Sequence, residues 1–140
     1  MPAINPLPEA LQAFLAGVDD ETPIVMINLL RFREQAAYEP GADAQPCTGR
    51  QAYARYSAVA LQKVQEVGGR LVWYGRVECS VITVEGERWD EAALVEYPSR
   101  KAFIQMVSQP EYQAAAIHRT AALSDSRLIA TTTLAGLSHG

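Results

Sequence analysis

Residues 23–32 read PIVMINLLRF, an apolar run broken only by Asn28 and Arg31. Its large and β-branched residues, after the turn-like DDETP of residues 19–23, predict a buried strand over Ile24–Phe32. Side chains alternate across a strand, so one set is Val25, Ile27, Leu29 and Arg31 and the other Ile24, Met26, Asn28, Leu30 and Phe32. The small, branched set is assigned to the helix-packing face until it emerges as Arg31. Asn28 then looks away from the helices, a lone amide on an apolar wall. An apolar wall with a few placed polar groups is the pattern of a ligand pocket. The competing reading is an amide satisfied inside the sheet or by a trapped water, serving register or assembly alone.

Upstream, NPLPEALQAFLAG predicts a short helix over residues 6–17, with Asn5 as cap, Pro6 in the first turn and Gly17 as stop. Leu7, Leu11, Phe14 and Val18 share its apolar face. Downstream, residues 33–48 are polar, contain Pro and Gly and lack periodicity, which predicts a long surface loop. Arg50 to Val67 is an amphipathic helix whose Tyr53, Tyr56, Ala60, Val64 and Val67 line the core side. Gly68 and Gly69 end it, and two strand-like runs follow, RLVWYGRVE and CSVITVEG, with a bend at Gly75. WDEAALVEYP is a further strand closed by Pro98. Ser99 caps the helix RKAFIQMV, and Ser108 with Glu111 has the spacing of a capping box opening a second helix through Leu123. RLIATTTLAG is the last strand, with a frayed tail expected over 135–140.

This order contains βαββαβ, the ferredoxin-like α+β plan, preceded by an extra helix. Helices cover one face of such a sheet, and the other face must also be covered because it is apolar. A second copy is the simplest cover, so a symmetric homodimer is expected.

At 140 residues, 49% hydrophobic and 20% charged, the chain fits one soluble domain. Net charge is −4 and the basic residues are scattered, which argues against nucleic acid as a partner. No apolar run approaches the ~20 residues that span a bilayer. The start MPAINPLPEA lacks the features of a secretory signal, so a cytoplasmic setting is expected. Cys47 and Cys79 have no metal-type spacing and are expected as free thiols.

Few residues could carry chemistry. His118 lies beside Arg119 in a helix and could act as an acid/base or anion contact; packing against the sheet is the plainer role. Glu96 and Tyr97 fall in an apolar strand of ambiguous parity. Glu96 either shares a face with Asn28, where burial would make it a base, or pairs with Arg31 at the strand end. No metal cluster, haem attachment motif, phosphate loop, dinucleotide fingerprint or GxSxG elbow occurs, and no cofactor is predicted.

PIVMINLLRFR, GRQAYARY, GGRLVWYGRV, WDEAALVEYPSRKAFIQMVSQPEYQAAAIHRTAAL and SRLIAT together resemble the domain-of-unknown-function family 1330, over about residues 22–133. The resemblance implies a dimeric α+β barrel. Domains of that superfamily include cofactor-free monooxygenases, isomerases, haem-linked enzymes and plain binding modules, and the family supplies no catalytic motif to carry over. The expectation is a small-molecule-binding protein. As an enzyme it would orient a carbonyl or hydroxyl with Asn28, use His118 as acid/base, and hold a carboxylate with Arg31 or Arg119. As a binding or regulatory module it would use the same cavity without turnover.

Overall fold

A computed structural model describes residues 2–16 and 21–136. The chain runs α1 (Pro8–Leu15), β1 (Ile24–Phe32), α2 (Gly49–Glu66), β2 (Arg70–Arg76), β3 (Glu91–Tyr97), α3 (Arg100–Val107), α4 (Pro110–Ala122) and β4 (Leu123–Thr131). The four strands form one antiparallel sheet in the order β2-β3-β1-β4. Connections and order are those of the ferredoxin-like α+β fold, with α1 as an addition.

Local chemistry explains most boundaries. Thr48 and Gln51 form a reciprocal capping box at the start of α2, and Ser99 accepts the Ala102 N–H at 3.0 Å to open α3. Gly68, at φ +85°, turns the chain out of α2. Two expected caps differ. Pro8 makes Leu7, not Asn5, the residue before α1, and no side chain caps it; Gly17 lies outside the described residues. Ser108 turns back to the Ile104 carbonyl at 2.7 Å and closes α3, so α4 starts after Gln109 without a side-chain cap. β4 begins at Leu123, directly on the end of α4.

The run CSVITVEG forms no strand. The outer edge of β2 is open to it, but among the described residues no helix or strand packs over this segment, and Val81, Ile82 and Val84 stand exposed with no burial to gain from joining the sheet. The loop 33–48, in contrast, is tied down. Ala37 N–H donates to Ala121 at 2.8 Å, Ala36 N–H to Cys47 at 2.9 Å, and Gln35 bridges to Thr48.

The largest difference concerns β1. Ile24, Met26 and Leu30 are the residues buried beneath the helices, so Asn28, of the same parity, faces the helices rather than away from them. Val25, Ile27, Leu29 and Arg31 form the other face with Leu94, Glu96, Trp73 and Ile129. Both faces are apolar, so hydrophobicity alone does not fix parity. The helix side chains opposite do: Val64 and Met106 pack on Ile24 and Met26, and Ala52 and Ala122 on Leu30.

Candidate functional site

The core beneath the helices is divided. One buried cluster joins Ile24, Met26 and Tyr97 to Val64 of α2 and Met106 of α3. The other joins Leu30 to Ala52, Ala122 and Leu123. Asn28 stands on β1 between Met26 and Leu30, at the seam between the two clusters, and it is only partly buried. Its cross-strand neighbours are Ala93 and Leu128, neither of which can meet an amide. The amide nitrogen donates to the Met26 carbonyl at a long 3.3 Å, and the amide oxygen has no partner among the described residues.

A row of tyrosines links the two clusters on the helix side. Tyr53 packs edge-on against Phe32 of one cluster and tilts against Tyr56, which meets Tyr112 of α4 beside the other cluster. The Tyr56 and Tyr112 hydroxyls share a hydrogen bond of 2.7 Å. The Tyr53 hydroxyl makes none among the described residues. Burial pushes its pKa up to about 12 despite the Arg119 charge, and burial likewise raises Tyr56. These phenols therefore stay protonated and act as donors. The seam offers an amide, an unpaired phenol and a nearby guanidinium between two apolar clusters.

The expected site residues disperse around this seam. Arg119 points toward β4 and donates to the Ile4 carbonyl at 2.8 Å and to Ser126 at 3.4 Å, so it holds the N-terminal segment. Tyr97 is a core residue with its hydroxyl on the Met106 sulfur at 3.8 Å. Glu96 pairs with Val25, opposite in face to Asn28, and its carboxylate meets Arg70 at 3.0 Å rather than Arg31. Arg31 leaves at the end of β1, with its Nε buried and without a hydrogen-bond partner among the described residues.

His118 belongs to a separate cluster. Its Nδ1 lies 2.7 Å from the Tyr38 hydroxyl, which also accepts from Arg55 at 3.0 Å. Desolvation, then the Arg55 charge, lowers the His118 pKa, so near neutrality the ring is uncharged and Nδ1 accepts the Tyr38 proton. These contacts clamp the 33–48 loop onto α2 and α4, and none reaches Asn28. Beside the clamp, a shallow cavity of about 330 Å³ lies between Tyr38 of the loop and Gln113, Ile117 and Thr120 of α4.

The sequence assigned Tyr53 and Tyr56 to packing alone. The missed signal is chemical: three phenols on facing helices each need a partner when buried, and an apolar core has none to give. Tyr38 lies in the aperiodic loop and Arg55 off the apolar face of its helix, so neither stood out in the sequence. Among the described residues no three His, Cys, Asp or Glu side chains group closely enough to hold a metal ion, and no helix is long and apolar enough to cross a membrane.

The fold has solved counterparts. The RPA0582 protein of unknown function from Rhodopseudomonas palustris is 40% identical, with a TM-score of 0.88, over 97% of this chain and 100% of that one. A DABB family protein with a ferredoxin-like fold from Mesorhizobium loti is 12% identical (TM-score 0.50; 81% and 98% covered). A hydroxynitrile lyase from Passiflora edulis is 10% identical (TM-score 0.54; 84% and 99% covered) and shares the fold alone. No curated protein matches. Residues 44–133 match the model of the Domain of unknown function (DUF1330), and the chain belongs to that family.

Proposed function

We propose that this protein binds a small, mostly apolar molecule carrying a carbonyl or hydroxyl group in the seam between helices and sheet. The observation that carries the reading is the division of the core at Asn28, whose amide oxygen is open among the described residues, with Tyr53, its hydroxyl unpaired, packed against one of the two clusters. The amide nitrogen and the phenol can donate to a carbonyl, and the amide oxygen can accept from a hydroxyl. The seat needs no metal or haem.

The reading favours binding over turnover. Proton transfer near neutrality needs a group that titrates there, and the seam tyrosines are held protonated. Glu91, which shares this face as the partner of Leu30, is engaged by Arg50 at 2.8 Å and by the Tyr74 hydroxyl. His118 is committed to the loop clamp. A symmetric homodimer completes the reading, because the face carrying Ile27, Leu29, Leu94, Trp73 and Ile129 has no helix over it, and Trp73 and Ile129 are 50% and 48% exposed. The same face carries both charge signs in Arg70, Glu96, Arg127 and Asp125, which suits a surface that pairs with itself.

The test is a thermal-shift screen of small ketones, aldehydes, phenols and hydroxy acids. A ligand at about 100 times its Kd stabilises by about 2.7 kcal/mol. The wild type should respond to a subset, and Asn28→Leu and Tyr53→Phe should each lose most of that response. Mass spectrometry should recover the ligand unchanged. A panel without effect, or a response that both variants keep at the wild-type level, rejects the seam; chemical conversion of the ligand rejects the binding-module reading.

A further inference from the structure

A second recognition site lies outside the seam, where β1 runs out of the sheet. A cleft of about 740 Å³ opens between the end of β1, the start of α2, the segment before β3 and the start of β4. Four arginines line it: Arg31 and Arg33 from β1 and its continuation, Arg50 from α2 and Arg88 from the segment before β3. Their acidic company is sparse. Arg50 is neutralised by Glu91 at 2.8 Å and stacks 4.9 Å above the Phe32 ring. Of the two carboxylates in the lining, Asp90 accepts the Phe32 N–H at 2.8 Å, and neither it nor Glu34 forms an ion pair with an arginine among the described residues.

Arg31 is the telling residue. Its Nε is the one fully buried side-chain nitrogen or oxygen without a hydrogen-bond partner among the described residues. A buried guanidinium N–H left unpaired is costly, and a fixed cation cannot shed its charge to escape that cost. The arrangement makes sense when an acceptor enters the cleft. Nε–H with one Nη–H forms a planar fork that matches the two oxygens of a carboxylate or phosphate. Arg33 and Arg88 have no salt-bridge partner among the described residues, and Thr48 and Arg50 bring the positive end of α2 to the same opening.

We propose that this cleft binds an oxyanion, a carboxylate or phosphate group of a small metabolite, with Arg31 as the seated fork and Arg33 and Arg88 as the outer charges. In a chain of net charge −4 this local excess of cations is not a product of overall composition. Arg31 and Asn28 have opposite parity on β1, so the site stands or falls independently of the seam.

Titration calorimetry at constant ionic strength, with inorganic phosphate and succinate as separate probes against chloride, tests the proposal. Saturable binding of at least one probe is expected, and which one binds tells phosphate from carboxylate. Arg31→Gln should weaken it at least tenfold. Arg88→Gln, at an exposed position that threatens no packing, should weaken it several-fold, while Arg76→Gln should leave it unchanged. Absence of saturable binding, or wild-type affinity in the Arg31 and Arg88 variants, overturns it. So does a fall in oligomeric state of Arg31→Gln without loss of anion binding, since the fork would then serve a partner's carboxylate.

Discussion

Asn28 shows how one side chain is read differently by a strand and by a core. Leucine has the same branched outline with bulkier apolar ends, and would join the two clusters where the amide holds them apart. Asn28→Leu should therefore raise the stability of the unliganded protein, by about 1 kcal/mol from the added apolar burial, as measured by urea denaturation. A loss of stability would mean that the amide is structurally satisfied and the seam is no ligand seat. Gly49 is the opposite case. A Cβ there would press into the Arg33 carbonyl and lie 2.7 Å from that of Ala122, both backbone atoms that cannot step aside. Gly49→Ala should destabilise the fold by about 3 kcal/mol, read in the same denaturation experiment, and a near-neutral result would refute the close crossing at the start of α2.

At the scale of elements, the strands and helices that carry strong periodicity were legible, and so was the βαββαβ order. Parity was not, because Val25, Ile27 and Leu29 are as apolar as Ile24, Met26 and Leu30; the choice rests on which helix side chains lie opposite. The run CSVITVEG had the composition of a strand, but its apolar side chains find nothing to pack against beside β2, a fact about the tertiary surroundings rather than the segment. Tyr38, Arg55 and His118 come from three stretches of sequence, and only the fold brings them together. That clamp carries a pH dependence. Since the folded pKa of His118 lies below its unfolded value of 6.5, its contribution is full above that pH and is lost as pH falls toward the folded value. The urea midpoint should drop more between pH 7.5 and 5.5 in the wild type than in His118→Gln. Identical drops would dissociate the clamp from acid sensitivity.

The whole molecule is a sheet covered on one side. Ile129 of β4 sits on the uncovered face opposite Ile27, and a charge there would meet apolar surface in a symmetric pair. Ile129→Glu should convert a dimer into a monomer by light scattering while the monomer stays folded by circular dichroism; a wild type that is monomeric at micromolar concentration contradicts the assembly outright. The two tryptophans make that equilibrium visible without a label. Trp89 is buried beneath the Arg127 guanidinium, while Trp73 lies across Gly75 on the uncovered face. One indole is therefore a constant background and the other an optical gauge of its surroundings. Diluting the protein through its association range should shift emission to the red and open the remaining signal to acrylamide quenching, so fluorescence can titrate self-association at concentrations too low for scattering.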